Sequence, residues 1–565
     1  MKRVLNGICV TAIAFLMPLS MFAADTNTTE QKIQLPDVTT VVTGDSLTAG
    51  KNAIPDFSDV TPSTDDATTP LPQLPDAKSD NVKEEPEADL SYGSERNLYA
   101  EGLIGCGFPG YFSGDFSIYK SSGDNPFKLR FYHESANDYG THTAAKGFFT
   151  GTTELSGTKK FTLKNVILNI GATYNTGVNG MQNLSTCFFD DTKQTVSSQN
   201  NVTWMLPLNF SITLQADGSY YSRYAGLTNN GSAVAFSYQE SGAKVMTVLP
   251  QVSVAWNNLT ADDTGLQFDL YIKSAVESFL SEMEFATTEE PTTSLINREQ
   301  FGLNGSWNNK TLSVKGNAGI VIGNALGAVS VTAPFSLEID ARWMNAASSR
   351  PVTLSAIGGL DSYLPMYGQL EKTYSFTSQQ YLESETSDWF AKIETSLPIA
   401  SRFTFNASAV WRMTAFGNGI WEPVYSEQPL ASGLYAFSQI DRTLFASNIG
   451  FSFLWKLLTL SVDWKSNWLY VPVTENAYAI NATCSVQAED GFWGSDVTLQ
   501  EALGDGVDMM PNISAGAFVR MNNTLRLAGE INDMVKLFSG TDRTYANSKY
   551  ISRAGSVTVL VKFFF

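Results

Sequence analysis

The sequence predicts an all-β protein: a single large antiparallel transmembrane β-barrel of about 18–22 strands, preceded by a disordered acidic segment. Three observations predict this fold class. The chain ends on a strand with one wholly apolar face, alternating runs of about ten residues recur upstream of it, and the connections between those runs are alternately short and long. Charged residues make up only 16% of the chain and aromatic residues 12%, a balance typical of membrane strands and unlike a helical enzyme.

The final strand is the strongest of these signals. Because alternate residues of a strand share a face, its apolar face consists of Val557, Val559, Val561, Phe563 and Phe565. A closed barrel would remove the exposed edge of such a strand by pairing it with the first strand, which we expect near residues 97–105, with Phe565 at the periplasmic rim. This ending resembles the C-terminal assembly signal of bacterial outer-membrane barrels. The alternative is a buried edge strand of a soluble β-sandwich.

Composition divides the rest of the chain into segments. Residues 1–24 are predicted to be a signal peptide, because a basic start precedes an apolar core and a small-residue cleavage point, and an uncleaved membrane anchor is the alternative. Residues 25–96 are predicted to be a disordered, acidic, Pro-rich periplasmic segment, since 25–92 hold 14 acidic residues, 4 basic residues and 7 prolines. Residues 97–565 then form the barrel. A net charge of −19 makes nucleic acid a poor partner.

The barrel region shows alternation interrupted by turn signals. Apolar residues alternate along 166–174, 403–413 and 513–521. Short connections are predicted at 307–310, 397–401, 455–458 and 521–524, and long ones at 176–201, 364–386, 415–441 and 470–510. Outer-membrane barrels have short periplasmic turns and long extracellular loops, so the short side is expected to be periplasmic. At roughly 20–26 residues per strand and its loop, the region allows ~18–23 strands, and an even number is expected.

Several stretches resemble a known family. The peptide Asp37-Val38-Thr39-Thr40-Val41-Val42-Thr43 resembles the TonB box of TonB-dependent outer-membrane receptors. Residues 354–365 resemble a strand and loop of the receptor barrel, 381–389 resemble its Leu-x-Pro-Glu-x-Ser segment with Ser384 in place of Pro, and 390–410 resemble the hairpin that follows. The resemblance implies an uptake barrel with a TonB-like periplasmic partner. It departs in one respect, because the receptors carry a folded plug domain where this chain has only residues 25–96.

Residues that could carry other chemistry are few, and we expect no enzyme, cofactor or metal site. Only His133 and His142 could serve a catalytic dyad, and no nucleophile motif accompanies either. They are expected in a loop or the lumen. Acidic residues that could meet calcium are interpreted as solvated loop acids: Asp190-Asp191, Asp262-Asp263, and Asp505 with Asp508. The cysteines after residue 24 predict no disulfide framework: Cys106, Cys187 and Cys484.

These observations predict an outer-membrane channel or uptake barrel for small solutes, built like a TonB-dependent receptor barrel but without its plug, as in a porin. Its expected partners are outer-membrane lipid, the barrel-assembly machinery, a small solute and a TonB-like periplasmic protein. The alternative is a surface receptor or adhesin that presents long loops on a barrel anchor. For that alternative, the candidate binding surface is 470–510, with Phe492 and Trp493. Whether residues 25–92 fill the lumen or lie outside it is left open.

Overall fold

The fold is given by a computed structural model. It describes residues 98–120, 125–139, 147–186, 188–228, 236–238, 244–260, 264–281, 295–325, 328–345, 350–365, 370, 373–378, 385–504 and 510–564. The predicted signal peptide, the TonB-box-like peptide 37–43 and Phe565 lie outside the described residues. The helical elements with described bounds are a 3₁₀ turn, Pro207–Asn209, and a short helix α1, Met534–Ser539. No helix in this described part is long and apolar enough to span a membrane.

Strands make up most of the described chain. In chain order they are β1 Tyr99–Phe108, β2 Tyr111–Lys120, β3 Phe127–Asn137, β4 Phe149–Leu163, β5 Val166–Gly180, β6 Phe188–Met205, β7 Phe210–Thr228, β8 Phe236–Tyr238, β9 Lys244–Leu259, β10 Gly265–Ser281, β11 Leu295–Asn308, β12 Leu312–Ala325, β13 Ala328–Thr332, β14 Phe335–Met344, β15 Pro351–Tyr363, β16 Thr386–Ala400, β17 Phe403–Thr414, β18 Ile420–Pro423, β19 Phe437–Ile440, β20 Thr443–Trp455, β21 Leu458–Asn467, β22 Tyr478–Gln487, β23 Trp493–Leu503, β24 Asn512–Asn522, β25 Leu525–Asn532, β26 Arg543–Thr544, β27 Ile551–Ser552 and β28 Ser556–Phe564.

The strands close into an antiparallel barrel of 22 strands, the upper end of the predicted range. The short strands β13 and β14 together occupy one place in the wall beside β12, and β8 only extends the end of β7. The pairs β18–β19 and β26–β27 are separate hairpins within loops.

The first and last strands close the ring, as the sequence predicts. Strand β1 pairs with β28 from Glu101 opposite Phe564 to Phe108 opposite Val557. The described members of the apolar terminal face lie on the outer surface, where Val557 and Val559 are exposed. Gly102 lies opposite Phe563, and a Cβ at Gly102 would overlap the Phe563 ring. A glycine in β1 therefore makes room for an aromatic residue of the closing strand.

The wall has an apolar outer face and a polar inner face. In β17, Phe403 and Met413 are exposed on the outside, whereas Thr404 and Arg412 are buried on the inside. The alternation predicted for 403–413 is therefore confirmed. Ion pairs cross neighbouring strands on the inner face, as between Arg130 Nη2 and Asp115 Oδ2 at 2.8 Å or Lys315 Nζ and Glu338 Oε1 at 2.8 Å. An outer face of this kind suits lipid, and an inner face of this kind suits a wet lumen.

The two rims of the barrel differ in the length of their connections. The rim that carries the start of β1 and the end of β28 has short turns, and we call it the short-turn rim. All four predicted short connections lie there, for example Lys456-Leu457 between β20 and β21. The opposite rim, the long-loop rim, carries the connections 364–385 and 415–442, in agreement with two of the predicted long segments.

Two other predicted long connections are wrong. Most of 176–201 belongs to β5 and β6, and 470–510 contains β22 and β23 joined by a short turn. The reason is visible in β6, an 18-residue strand that is longer than a tilted membrane strand needs to be. The part of β6 nearest the long-loop rim, 190–194, has polar residues at five successive positions, so it shows no hydrophobic alternation although its pairing with β5 and β7 continues.

Candidate functional site

Five connections meet at the long-loop rim and pack into a common core, which we call the loop cap. They are the connections β5–β6, β15–β16, β17–β20, β21–β22 and β25–β28. The buried members of the core are Met181, Tyr374, Phe376, Tyr425, Leu434, Tyr435, Phe437 and Tyr550. Val473 of the β21–β22 connection packs against them. Connections that each lack a core of their own therefore share one.

Aromatic rings from different connections hold the loop cap together. Phe376 and Tyr550 stack with ring centroids 3.8 Å apart and an interplanar angle of 3°. Tyr425 meets Tyr435 edge-on at 5.2 Å and Tyr545 edge-on at 5.6 Å. Such pairs stabilise by about 0.5–1.5 kcal/mol each beyond the area they bury. The rings therefore join the β15–β16, β17–β20 and β25–β28 connections into one body.

Hydrogen bonds fix the register of these contacts. Tyr435 N donates to Phe376 O at 2.8 Å, and Ser378 N donates to Tyr435 O at 2.7 Å, so the two connections run side by side. Tyr425 Oη donates to Ser375 O at 2.6 Å. Burial raises the pKa of the Tyr425 phenol, which keeps it neutral and able to donate this bond.

The loop cap reaches across the barrel mouth. Thr186 N of the β5–β6 connection donates to Ala431 O of the β17–β20 connection at 3.0 Å. Gln182 and Ile551 exchange two hydrogen bonds, Gln182 Nε2 to Ile551 O at 3.0 Å and Ile551 N to Gln182 Oε1 at 2.8 Å. The β5–β6 and β17–β20 connections arise on nearly opposite sides of the 22-strand ring. Such a ring is about 40 Å across, given strands about 4.8 Å apart and tilted by about 40°.

Gly433 lies where the two sides of the loop cap meet. Its φ is +79°, a conformation that favours glycine. A Cβ there would come within 2.8 Å of Met181 Cε and of Tyr550 Oη, and within 3.0 Å of Ser185 Cβ. Its carbonyl accepts a hydrogen bond from Tyr550 Oη at 2.7 Å. The crossing contact therefore depends on the absence of a side chain at this position.

A group of buried charges on the inner wall beneath the loop cap, which we call the charged collar, is built around Asp388 of β16. Asp361 stands directly opposite Asp388 on β15, a like-charge pair that would be unfavourable by itself. Arg412 Nη1 lies 3.5 Å from Asp361 Oδ2 and 3.6 Å from Asp388 Oδ2, and Arg442 Nη2 lies 2.9 Å from Asp388 Oδ2. The two guanidinium groups thus offset the paired carboxylates.

Glu385 extends the charged collar toward β11. Its Oε1 accepts from Arg298 Nε at 2.8 Å and from Ser362 Oγ at 2.9 Å. Arg298 also donates to Ser362 O at 2.6 Å. A Cβ at Gly323 would lie 2.9 Å from Glu385 Oε2, so β12 leaves space for this carboxylate. Glu385, the residue that precedes β16, is therefore held against β11 and β15 by buried polar contacts.

A further buried carboxyl group links the loop cap to the charged collar. Glu422 of the β18–β19 hairpin is fully buried and accepts a hydrogen bond from Tyr470 Oη. Burial raises the pKa of the Glu422 carboxyl above its usual value, although the Tyr470 hydrogen bond and the charge of Arg442 oppose that shift. Glu422 is therefore a titratable group inside an otherwise apolar and aromatic part of the loop cap.

One part of the charged collar lies in a segment that the sequence analysis identified by its resemblance to a receptor barrel. The described end of the receptor-like segment 381–389 includes Glu385 and Asp388, which are at most 3% exposed. That resemblance therefore marked the segment that anchors the charged collar. The aromatic core of the loop cap was missed, because its members are scattered through connections without periodicity. The enrichment of tyrosine in 363–381, 425–435 and 545–550 was the available signal.

Several other predicted residues lie elsewhere. Phe492 and Trp493 belong to a tight turn at the short-turn rim, where Ala488 N donates to Trp493 O at 3.0 Å. The binding surface proposed for the adhesin alternative, 470–510, is therefore not one surface loop. His133 lies on the outer face of β3 and contacts Thr153 Oγ1 at 2.8 Å, so its predicted place in a loop or the lumen is wrong. His142 lies outside the described residues.

The candidate metal and disulfide residues that the structure describes are Asp190, Asp191, Cys106 and Cys484. Asp191 is not a solvated loop acid: it is buried, and its carboxylate accepts two hydrogen bonds from Arg223 at 2.7 Å. Asp262, Asp263, Asp505 and Asp508 lie outside the described residues. Within the described ranges no group of three or more potential ligands could hold a metal ion. Cys106 and Cys484 are free and exposed.

No protein-family model matches the chain, and no curated protein matches it. Its fold, a large closed antiparallel β-barrel, is nevertheless shared with solved structures of transporters and receptors. The copper transporter OprC is similar over 83% of this chain and 80% of its own, with a TM-score of 0.61 and 10% identity. The FrpB iron transporter from Neisseria meningitidis is similar over 84% and 83%, with a TM-score of 0.60 and 10% identity. The ferric enterobactin receptor PfeA from Pseudomonas aeruginosa is similar over 83% and 80%, with a TM-score of 0.57 and 10% identity.

Proposed function

We propose that this protein is an outer-membrane uptake channel for small solutes whose outer entrance is closed by its own loop cap. In this proposal the short-turn rim is periplasmic and the long-loop rim faces outside. Residues 1–24 are a cleaved signal peptide, and 25–96 form a periplasmic segment instead of a folded plug. The apolar terminal strand, with Val561 and Phe563, serves as the signal for the barrel-assembly machinery.

The observation that carries the proposal is the contact across the barrel mouth. A 22-strand barrel encloses a lumen far wider than its side chains can fill, so something else must control passage. Thr186 and Ala431 join connections from opposite walls, and Gly433 fits between Met181 and Tyr550. Passage through the barrel would then require the loop cap to open.

A TonB-like periplasmic protein fits this proposal as a partner. Pulling on the peptide 37–43 would act on a segment that leads directly into β1 at the short-turn rim. An extended peptide of this kind can pair with the sheet edge of a partner, where main-chain hydrogen bonds supply affinity. The similar structures include an iron transporter and a copper transporter, which supports a small solute as cargo.

A disulfide across the mouth tests the proposal. We would refold T186C/A431C in a background with Cys106, Cys187 and Cys484 replaced by Ser, and record conductance in planar bilayers. A backbone hydrogen bond brings the two positions within the range that a disulfide can span. We expect the oxidised protein to open at least tenfold less often than the same protein after reduction with dithiothreitol.

The matched control carries only T186C in the same background, and its conductance should not respond to dithiothreitol. Equal conductance of the oxidised and reduced double variant would refute closure by the loop cap. A barrel that never conducts, even with the engineered disulfide reduced and residues 25–92 deleted, would refute the proposal that the protein is a channel.

A further inference from the structure

Two carboxylates, Asp496 and Glu530, face each other across a glycine on the inner wall, and we call them the acidic pair. Asp496 of β23 is directly opposite Gly516 of β24, and Gly516 is directly opposite Glu530 of β25. Because Leu527 is exposed on the outside of β25, Glu530 points inward. An added Cβ at Gly516 would lie 2.9 Å from Asp496 Oδ1, so this carboxylate reaches over β24 toward Glu530. The two charges are therefore close enough to repel each other.

The acidic pair has no counter-charge of its own in the described part of the chain. Both carboxylates are half-buried, and neither forms an ion pair or a hydrogen bond with another described residue. Arg553 is the basic residue whose charge reaches Glu530. Its guanidinium is already engaged, since Nη1 lies 3.3 Å from Glu134 Oε1 and Nε donates to Tyr139 Oη at 3.0 Å. Two repelling carboxylates that have lost part of their hydration are unfavourable, and a bound cation would offset that cost.

The next strand adds a buried hydroxyl group beside Glu530. Thr558 of β28 is directly opposite Glu530 and is only 2% exposed. Its Oγ1 has no hydrogen-bond partner among the residues that the structure describes, which is costly for a buried polar atom. Its methyl carbon Cγ2 faces β1, 2.8 Å from an added Cβ at Gly107, so the hydroxyl group is on the side of β25. A buried oxygen atom is thus turned toward the acidic pair.

We infer that Asp496, Glu530 and Thr558 bind one partly hydrated divalent cation, Ca²⁺ or Mg²⁺, on the lumen wall. Oxygen ligands suit these hard cations, which one or two carboxylates can hold while several water molecules stay bound. Thr558 is three strands from Asp496, about 14 Å across the sheet, so its hydroxyl group would bind a water molecule of the cation and the acidic pair would bind the cation itself.

Two carboxylates and a hydroxyl group are a smaller set than three His, Cys, Asp or Glu ligands, a group of which is absent from the described ranges. The inference goes beyond the proposed function, since it concerns a cation in the barrel wall and does not require conduction.

Equilibrium dialysis of the full-length refolded protein against radioactive calcium tests this site, in about 0.15 M NaCl to screen exposed charges. We expect wild type to bind one calcium ion more per chain than D496N/E530Q, with half-saturation at about 0.1–1 mM. Acidic residues elsewhere are the same in both proteins and cancel in this difference. Both substitutions keep the size of the side chain and remove charges that repel each other, so the variant should fold.

T558V tests the hydroxyl group with a side chain of similar size. It should lower the affinity for calcium about threefold or more, because a bound water molecule loses a hydrogen bond. It should not lower the temperature at which the folded band is lost without calcium, since Thr558 Oγ1 has no partner to lose among the described residues. An unchanged calcium affinity in T558V would remove Thr558 from the site.

The matched control compares two single Asp→Asn substitutions on the inner wall, D496N and D463N. Asp463 of β21 is also half-buried and directly opposite a glycine, Gly450, but its neighbour on the other side is Asn481. D496N should weaken calcium binding about tenfold or more, whereas D463N should keep the wild-type binding curve. Equal binding by wild type and D496N/E530Q would overturn the inference. So would equal losses in D496N and D463N, because they would assign the bound calcium to the general negative charge of the wall.

Discussion

Gly433 offers the most direct test of closure by the loop cap. In Gly433→Ala the new Cβ would lie 2.8 Å from Met181 Cε and from Tyr550 Oη. These atoms belong to the two connections that meet Gly433, so both must move. The movement would also disturb the buried hydrogen bond from Tyr550 Oη to Gly433 O. The substitution therefore weakens the loop cap without touching a strand of the barrel.

The magnitude follows from three contributions. An alanine at positive φ costs about 1–2 kcal/mol, overpacking costs about 1–3 kcal/mol, and a weakened buried hydrogen bond costs about 1 kcal/mol or more. Because the contributions overlap, we expect the closed state to lose about 2–4 kcal/mol relative to the open state. At about 1.4 kcal/mol per factor of ten, the open-to-closed ratio would rise roughly 30-fold to 700-fold.

The same connection supplies a matched control, Gly417→Ala. Gly417 has a φ of +71°, but no heavy atom lies within 4 Å of an added Cβ. It shares the backbone strain of Gly433→Ala, about 1–2 kcal/mol, and none of the overlap, so its effect should be about 5-fold to 30-fold and smaller than that of Gly433→Ala. Open probability in planar bilayers is the readout for both variants. Equal open probabilities for the two variants would refute the argument that the crossing contact at Gly433 closes the mouth.

Three other variants test the closing pair of strands β1 and β28, the charged collar, and the titration of Glu422 in the loop cap. In Gly102→Ala the new Cβ would overlap the Phe563 ring of the closing strand. This variant should lose its folded band at a lower temperature when samples heated to increasing temperatures are compared on a gel. Gly177→Ala, with no heavy atom within 4 Å of its Cβ, should not. Asp388→Asn should lower the free energy of unfolding in urea by about 3–5 kcal/mol, because Arg442 keeps a buried charge without its carboxylate, and a loss below about 1 kcal/mol would contradict that reasoning. The pKa of Glu422 is raised above its usual value of 4.5, so the closed loop cap favours the protonated carboxyl group. The stabilisation of the loop cap by this group is therefore complete below pH 4.5 and is lost as the pH rises through the raised pKa. Open probability should therefore increase with pH in wild type and stay flat in Glu422→Gln.

The barrel could be predicted because its signals are local. Alternation with a period of two requires only neighbouring residues, and Val557 to Phe563 display it without reference to the rest of the chain. Asn-containing turns such as 307–310 are also set by local backbone preferences. The closing pair of strands follows from the same logic, since a terminal apolar strand has nowhere else to pair.

The loop cap could not be predicted because its contacts join distant parts of the chain. Gln182 and Ile551 are 369 residues apart, and no periodicity links them. The sequence predicts a loop for the polar part of β6 for a related reason. This part is a strand because it pairs with β5 and β7, and its own sequence has no hydrophobic alternation. In both cases the determining interaction lies outside any short window of sequence.

The distribution of contacts also indicates how the loop cap would open. Four of its five connections arise from the half of the ring between β15 and β28, and their aromatic rings and backbone hydrogen bonds join them to one another. Among the buried members of the loop-cap core, Met181 of the β5–β6 connection comes from the facing wall, and Gln182 and Thr186 of that connection add hydrogen bonds. Breaking the few contacts along that line requires less free energy than separating the stacked rings from one another. The loop cap would therefore part at the β5–β6 connection and leave the other four together.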